Sequence, residues 1–367
     1  MTAILALTKE GLKVAMMILN NWETSSDNKP SVYLHESLSD INIDPLIQES
    51  KLSFFSKLKD IIPIIWKGSS LLICIMATGI VVRQISPLLK GKDQDPAVLV
   101  LDEKGTFVIS LLSGHLGGAN FWTKKVAQYI GATPVITTAT DVQGLIAPDE
   151  YAREFGWEVE PLAKLKKVNR FLLDNGYLKV WTNILPENHT MGRDPHYHFV
   201  SDEEKDQAQI WILDLVQGKE QYTQLSSNLA EGPLLLIPKI YSLGIGCRKG
   251  TPKEQILRAI QEALNRVGIS QKGVKGIFSI DLKAQEEGLI EAAHTLGIPF
   301  KTFAAEEIQI LNEHRNLSAS NFVREKIGVN GVCEAASLLG TKEGELILPK
   351  QIIQGVTVAI SKEKSLW

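Results

Sequence analysis

The chain has 367 residues, which is more than one ordinary compact core requires, so two or three domains of roughly 100–200 residues are expected. Its hydrophobic content of 44%, charged content of 22% and net charge of −3 fit a globular protein and exclude a global basic field for nucleic acid. Three widely separated cysteines give no disulfide framework and no Cys-x-x-Cys zinc motif, which favours a cytoplasmic location. The longest apolar windows, 61–66 and 71–82, fall short of the ~20 residues that span a bilayer, so no membrane association is predicted.

Residues 1–142 are predicted to form an α/β domain, because short apolar strands alternate with amphipathic helical patterns. In chain order, strands are predicted at 4–8, 32–35, 71–77, 97–101, 107–112 and 134–138, and helices at 11–22, 51–66, 79–89 and 119–130. The pattern indicates a mainly parallel sheet with helices on both faces, and the turn at 102–105 predicts one antiparallel pair within it.

Residues 143–236 read as a smaller α+β domain. Helices are predicted at 149–156 and 161–176, and strands at 177–183 and 209–215. The polar stretch between these strands, 186–207, is expected to be a long exposed loop or hairpin.

Residues 237–367 return to β/α alternation. Strands are predicted at 240–247, 276–280, 300–303, 346–349 and 356–360, and helices at 251–267, 285–296, 306–312 and 331–339. Thr251 is expected to be the N-cap of the first of these helices. The predicted fold class is therefore α/β, with two three-layer β/α domains flanking a smaller α+β domain.

A glycine-rich turn between a predicted strand and a predicted helix is the first candidate site. Glycines let backbone N–H groups approach an anion, and a helix N-terminus adds unsatisfied donors. One titratable side chain, His115, lies inside the turn. The candidate binding residues are Ser113, Gly114, Gly117, Gly118 and Asn120. A tight connection whose glycines serve packing alone stays an open alternative.

Two further candidates lie at predicted strand ends in the same domain and are expected to open onto the same end of the sheet as the glycine-rich turn. Arg83 follows the strand at 71–77 and could reach a bound carboxylate, although a salt bridge to Asp95 or Asp102 is the simpler alternative. Thr138, Thr140 and Asp141 follow the strand at 134–138, at the carboxyl end where α/β sheets bind ligands. Asp141 could act as a base, orient His115, or merely cap the following turn.

The C-terminal domain offers a second anion site at 244–251, which is not a Walker A motif because Lys249 precedes Gly250. The candidate residues there are Gly246, Arg248, Lys249 and Thr251, and Cys247 could be a thiolate near their positive charge.

The end of the next strand adds Ser279, Asp281 and Lys283, for which helix capping is the alternative. His196 and His198 alternate like a metal pair, but no further ligands cluster with them, so no protein metal site is predicted.

Several of these segments together resemble a known family. Gly79-Ile-Val-Val-Arg83, Val108–Asn120 and Ile136–Asp141 look like the CbiG family, the cobalt-precorrin 5A hydrolases of anaerobic cobalamin biosynthesis. Leu243–Thr251 and Ser279–Lys283 resemble the C-terminal domain of that family, which is itself similar to a stand-alone protein of the aerobic pathway. The middle region carries no recognisable motif.

The resemblance implies a substrate and a reaction. Cobalt-precorrin 5A is a contracted macrocycle in which a δ-lactone links the ring-A acetate to the extruded carbon. The enzyme opens the lactone and releases the two-carbon fragment as acetaldehyde, leaving cobalt-precorrin 5B. Cobalt arrives with the substrate, so no protein cofactor is expected.

The residues suit this chemistry. His115, oriented by Asp141, is expected to supply acid/base help, and N–H groups near Gly114 and Gly117 to stabilise charge on the lactone carbonyl. The cleft is expected between the two β/α domains, where cations from both would bind the carboxylate arms.

Two alternatives stay open: a non-catalytic tetrapyrrole carrier or scaffold, and a nucleotide-dependent enzyme using 244–251. A homodimer and transient contacts with other corrin-pathway enzymes are also left open.

Overall fold

The computed structural model describes residues 1–22, 29–40, 51–91, 94–184, 190–215, 232–315, 317, 331–341 and 343–364. Contacts divide the chain into two compact units. The first comprises Met1–Glu154 with Leu172–Asp174, and the second comprises Phe155–Phe171 with Asn175–Trp367. None of the helices within the described ranges is both long enough and apolar enough to cross a membrane.

The first unit is built on a sheet with the strand order β3-β2-β1-β4-β5-β6-β7. Its strands are β1 (Thr2–Ala6), β2 (Ser31–His35), β3 (Leu52–Phe55), β4 (Leu71–Ile75), β5 (Ala97–Leu101), β6 (Phe107–Leu112) and β7 (Thr133–Val135). Its helices are α1 (Lys9–Asn20), α2 (Leu58–Gly68), α3 (Thr78–Ile85), α4 (Ala119–Ile130), α5 (Ala139–Val142) and α6 (Pro148–Phe155). The predicted α/β class is confirmed.

Strand β1, inside the sheet, is buried on both faces, as the near-continuous apolar run of a parallel sheet requires. Ile4 and Ala6 belong to a core cluster that α1 and α4 cover, whereas Ala3 and Leu5 belong to a second cluster beneath α2 and α3. Full burial of the Ile4 or the Leu5 side chain contributes about 1.5–3 kcal/mol. The sheet therefore lies between two helical layers, as predicted.

Strand direction changes once within this sheet. Strands β1 to β5 are parallel, β5 and β6 are antiparallel, and β7 runs parallel to β6. Asp102 holds the reversing turn, because its carboxylate accepts the N–H groups of Lys104 at 2.9 Å and Phe107 at 2.7 Å. The carboxyl ends of β6 and β7 therefore lie at the edge where β4 and β5 begin.

The second unit contains two sheets. The one nearer the N-terminus has the order β10-β9-β11-β12-β8 and is parallel except for β8. Its strands are β8 (Glu158–Glu160), β9 (Leu178–Thr182), β10 (Tyr197–Phe199), β11 (Ile210–Ile212) and β12 (Leu234–Ile237), with helices α7 (Leu165–Asn175) and α8 (Thr190–Arg193) between them.

The other sheet of this unit has the order β15-β14-β13-β17-β16, and its first three strands are parallel. Its strands are β13 (Tyr241–Gly246), β14 (Val274–Ile280), β15 (Phe300–Phe303), β16 (Glu345–Ile353) and β17 (Val356–Lys362). Its helices are α9 (Lys253–Val267), α10 (Glu287–Leu296), α11 (Ala305–Arg315) and α12 (Cys333–Leu339).

Three local predictions were wrong. The helix expected at 51–66 is strand β3 followed by α2, because Leu52–Phe55 pairs with β2 at the edge of the sheet. The stretch at 186–207 is no hairpin, because β10 runs parallel to β9; its residues 186–189 lie outside the described ranges. Thr251 is not an N-cap: its hydroxyl donates to Arg248 O at 2.8 Å, and Pro252 occupies the cap position.

Asp214 joins the two sheets of the second unit. Its buried carboxylate accepts the Tyr241 hydroxyl at 2.5 Å and Lys362 Nζ at 2.7 Å. Burial raises the pKa of Tyr241, and the charge of Asp214 raises it further. The backbone of Asp214 also exchanges two hydrogen bonds with the Asn183 side chain. The chain that follows β9 and β11 in one sheet is thus held to the neighbouring strands β13 and β17 of the other sheet.

Replacing Asp214 with Ala should lower the free energy of unfolding by about 3–5 kcal/mol, because the change leaves a buried hydroxyl and a cation without their acceptor. Urea denaturation followed by tryptophan fluorescence measures this. Asp206→Ala, at an exposed acid of the same unit, serves as the control and should stay within about 0.5 kcal/mol. A loss below about 1 kcal/mol for Asp214→Ala would show that the cluster is not a structural anchor.

Candidate functional site

The loop between β6 and α4, residues 113–118, folds back on itself. Ser113 has φ +58°, and its hydroxyl donates to Asp95 O at 3.0 Å. A Cβ atom on Gly117 would lie 2.4 Å from Ser113 Cβ and 2.7 Å from Ser113 O, and Gly118 has φ +84°. Both glycines are therefore required by the packing and backbone of the loop itself.

The start of α4 offers fewer free donors than predicted. Three of its first four N–H groups donate to the loop, namely Ala119 to Ser113 O, Asn120 to Gly114 O and Trp122 to Gly118 O, at 3.0–3.1 Å. The N–H groups of the turn, from Gly114 to Gly117, and that of Phe121 meet no backbone acceptor among the described residues. An anion would therefore meet the turn rather than the helix terminus.

His115 points from this loop into a ring of polar side chains and is only 11% exposed. Its Nε2 lies 3.1 Å from Thr140 Oγ1, 3.0 Å from Glu150 Oε1 and 3.4 Å from Asp141 Oδ2. Its Nδ1 lies 3.5 Å from Asp149 Oδ2. The predicted meeting of His115 with Thr140 and Asp141 is confirmed, and α6 adds Asp149 and Glu150.

Asn120 fixes Asp141 beside the imidazole. Its Nδ2 donates to Asp141 Oδ2 at 2.8 Å and to Thr138 Oγ1 at 2.9 Å, and its Oδ1 accepts the Ser110 hydroxyl at 2.6 Å. The side chain is almost completely buried. The other oxygen of Asp141 accepts Lys124 Nζ at 3.0 Å. Asn120 thus connects the glycine loop to the end of β7.

The surroundings of His115 favour its charged form. Burial alone would lower its pKa, but the hydrogen bond and charge of Asp149, with the charges of Glu150 and Asp141, raise the pKa above its ordinary value. Both ring nitrogens face carboxylate oxygens, and only an imidazolium can donate in both directions. The cluster therefore combines one imidazolium with three carboxylates.

Glu150 differs from the other two acids. Burial raises its pKa, the His115 charge opposes that shift, and the Asp141 charge adds to it. Its Oε1 is buried and has no hydrogen-bond donor in the described ranges, because the 3.0 Å approach of His115 Nε2 is an ion pair without hydrogen-bond alignment. Burial thus favours the protonated form of Glu150, and the ion pair with His115 is the contact that opposes it.

The same atoms could hold a cation. One ligand atom each from His115, Asp141 and Glu150 lies within 4.8 Å of the others, a set that a divalent metal accepts. Ligation requires a neutral imidazole, so a metal would compete with the proton that the carboxylates stabilise on His115.

The second unit has a cavity of about 360 Å³ at the carboxyl ends of β13 and β14. The predicted residues Gly246, Arg248, Ser279 and Lys283 line it, together with Lys350. Lys249, Thr251 and Asp281 are not among the described residues of its wall. Ser279 is fully buried, and its hydroxyl donates to Ile245 O at 2.7 Å, which leaves the cations as the groups available to an anion.

An internal carboxylate already occupies part of this second glycine loop. Glu286 accepts the Gly250 N–H at 2.6 Å and pairs with Lys283 Nζ at 2.8 Å. Burial opposes its ionisation, but these two hydrogen bonds hold its pKa below the ordinary value. The prediction of a free anion cradle at 244–251 is therefore wrong at Gly250.

Cys247, His196 and His198 of this unit contact neighbouring protein groups in ways that fit a role in the fold. Burial raises the pKa of Cys247, although Lys283 opposes the shift, so the thiolate considered for this residue is not favoured. His196 Nδ1 lies 2.6 Å from Gly176 O, and His198 stacks on Tyr177 with ring centres 4.8 Å apart.

The expectation that Arg83 opens onto the same sheet end as His115 was wrong. Its Nη1 donates to Gly79 O at 3.0 Å, which holds the guanidinium beside the carboxyl end of β4. The glycine loop follows β6, which runs in the opposite direction, so it lies at the other edge of the sheet. The salt bridges considered for Arg83 are absent too: Asp95 and Asp102 accept N–H groups of their own loops.

Comparison with known proteins adds a family. The models "Cobalamin synthesis G N-terminal", "Cobalamin biosynthesis central region" and "Cobalamin synthesis G C-terminus" match residues 60–141, 146–225 and 241–361. A cobalt-precorrin-5A hydrolase of Priestia megaterium is 31% identical over 98% of this chain and 94% of its own length. The enzyme of that name from Salmonella typhimurium is 36% identical over 79% of this chain and 81% of its own length.

A shorter relative matches one part of the chain. Protein CobE of Sinorhizobium sp is 28% identical over 125 residues, which are 34% of this chain and 80% of its own length.

An NMR titration of His115 should give a pKa above 6.5, and Glu150→Gln should lower this pKa, because one of the stabilising charges is removed. Glu154→Gln, at an exposed acid on the same helix, is the control and should leave the titration unchanged. A His115 pKa at or below 6.5 that is the same in the wild type and in Glu150→Gln would contradict the described cluster.

Proposed function

This chain belongs to the cobalamin synthesis G family, and from that membership we propose that it is a cobalt-precorrin 5A hydrolase of cobalamin biosynthesis. The similarity to relatives of that name runs over nearly the whole chain, and all three parts of the family are matched in order. The protein is therefore a hydrolase rather than a carrier that only binds the macrocycle.

The reaction has two stages. In the first, water adds to the lactone carbonyl and the ring C–O bond breaks, giving the ring-A acetate and an alcohol on the extruded carbon. In the second, the alcohol loses its proton, its C–O bond becomes the C=O of acetaldehyde, and the C–C bond to the macrocycle breaks. The electron pair of that bond passes into the conjugated ring, which takes up a proton. Each stage needs one group that accepts a proton and one that donates it.

The observation that carries the assignment is the single imidazole held among three carboxylates in the first unit. Environments that push the pKa values of neighbouring groups apart create an acid and a base in one place. Here the carboxylates favour the imidazolium of His115, while burial raises the pKa of Glu150.

We assign the roles as follows. Glu150 takes the proton of the attacking water, because its Oε1 accepts no hydrogen bond from the described residues and burial raises its pKa. His115 donates its proton to the departing lactone oxygen and, once neutral, removes the proton of the new alcohol. Asp149 orients the ring through Nδ1, and Asp141 supports the imidazolium. The free N–H groups of Gly114 and Gly117 suit the negative charge that develops on the carbonyl oxygen.

Cobalt belongs to the substrate in this proposal, and the acid/base chemistry needs no further metal. Gly246, Arg248, Ser279 and Lys283 line the cavity of the second unit, and their roles in binding the substrate stay predictions. Roles for Arg83, Lys249, Thr251 and Asp281 in substrate binding stay predictions. So do a homodimer, contacts with other corrin-pathway enzymes, and a cytoplasmic location.

The test is incubation of the purified protein with cobalt-precorrin 5A and water, with acetaldehyde detected by an NADH-coupled alcohol dehydrogenase. The wild type should release acetaldehyde, and His115→Ala should lower kcat by about 10²–10⁴-fold, because both proton transfers lose their mediator. His198→Ala, at an exposed histidine of the other unit, should retain wild-type activity.

Near-normal release by His115→Ala would remove His115 from the mechanism, and binding without release by the wild type would favour the carrier. Dialysis against EDTA should leave the rate unchanged. A loss that added Zn²⁺ or Co²⁺ restores would instead assign the three ligand atoms to a metal.

A further inference from the structure

Arg153 lies across the glycine loop, one helical turn beyond Glu150. It is on α6, and its Cδ is 3.3 Å from the point where a Cβ of Gly118 would lie. Its guanidinium carbon is 4.7 Å from the centre of the Phe121 ring. The ring of Phe121 therefore fixes the plane of a half-buried cation beside the His115 cluster.

Apart from the Phe121 ring, this guanidinium has no hydrogen-bond or ion-pair partner among the described residues. Its Nε is buried and meets no hydrogen-bond acceptor, and no carboxylate in the described ranges lies within ion-pair distance of it. Buried polar groups of native proteins are nearly always hydrogen-bonded, and each exception needs an explanation. Glu150 and Asp149 act on Arg153 through space but do not pair with it.

A purely internal explanation does not account for this arrangement. If Arg153 served to neutralise the acidic cluster, direct pairs with its carboxylates would be expected. Instead Asp141 is bound by Asn120 and Lys124, and Asp149 faces His115. The donors of the guanidinium are left for a group that comes from outside the protein.

We infer that Arg153 binds a carboxylate arm of the substrate and so holds the macrocycle beside His115 and Glu150. This inference rests on the proposed function for the identity of the substrate. A guanidinium presents two parallel N–H donors that match one carboxylate, and a corrin precursor bears many acetate and propionate groups. Stacking on Phe121 orients this fork before the ligand arrives, which lowers the entropy lost on binding.

Binding measurements test the inference without turnover. Cobyrinic acid, a cobalt corrin with free carboxylates, and cobinamide, whose side chains are amides, are titrated into wild type, Arg153→Gln and Arg153→Lys, with tryptophan quenching as the readout. Arg153→Gln should weaken cobyrinic acid binding by about ten- to a hundredfold and leave cobinamide binding unchanged. Arg153→Lys should fall between, since it keeps the charge and loses the fork.

Kinetics and stability separate positioning from folding. Arg153→Gln should raise KM for cobalt-precorrin 5A about tenfold or more with kcat changed less than about threefold, and its Tm should stay within about 2 °C of wild type. Arg193→Gln, at an exposed arginine of the second unit, should match the wild type in every measurement. If Arg153→Gln does not fold, Arg153→Lys carries the test.

Equal losses for both corrins, or no loss for either, would overturn the inference while leaving the hydrolase assignment intact. Carboxylate-selective, Arg153-dependent binding by a protein that releases no acetaldehyde would sustain the inference and overturn the hydrolase assignment.

Discussion

The candidate site depends on one interaction, the imidazolium of His115 held among the carboxylates of Asp141, Asp149 and Glu150. A charge taken out of water is costly unless opposite charges and hydrogen bonds surround it. The glycine loop must fold tightly to aim His115 inward, and Asn120 must hold Asp141 in place. Helix α6 must also dock on the same loop to bring in two of the acids. The glycine loop, Asn120 and α6 thus together place the charged His115 among its carboxylates.

The two glycine-rich loops of the chain turn out to have different physical roles. In the first, glycines allow the backbone to fold back on Ser113, and the ligand-facing groups are a histidine and the turn N–H groups. In the second, the Gly250 N–H already binds Glu286, and the cations Arg248 and Lys350 face a separate cavity. The two glycine-rich loops therefore differ in their chemistry. The first presents an acid/base group, and the second lies beside a cavity lined by cations.

Sequence reasoning predicted what local patterns determine. Apolar runs and glycine stops placed β5, β6 and α4 at their observed bounds, and the rule that ligands bind at strand carboxyl ends brought Thr140 and Asp141 to His115. The position predicted for Arg83 was wrong because the turn at 102–105 reverses β6, so that the carboxyl ends of β4 and β6 lie at opposite edges of the sheet. Asp149 and Glu150 were not predicted as site residues, because acids are common in the first turn of any helix. Their contact with His115 depends on how α6 packs on the glycine loop, which no local pattern shows. The contact between Glu286 and Gly250 was not predicted either, because the two residues are 36 positions apart in the chain.

The central claim is that Glu150 accepts and His115 donates protons in one turnover. The pH dependence of kcat/KM for acetaldehyde release tests it most directly, because this quantity reports the ionisation of the free enzyme. The account predicts a bell-shaped profile, with an acidic limb above the ordinary glutamate pKa of 4.5 and a basic limb above 6.5. In Glu150→Gln the acidic limb should disappear along with most of the rate. A Glu150→Gln profile that matches the wild type in both shape and height would contradict the account.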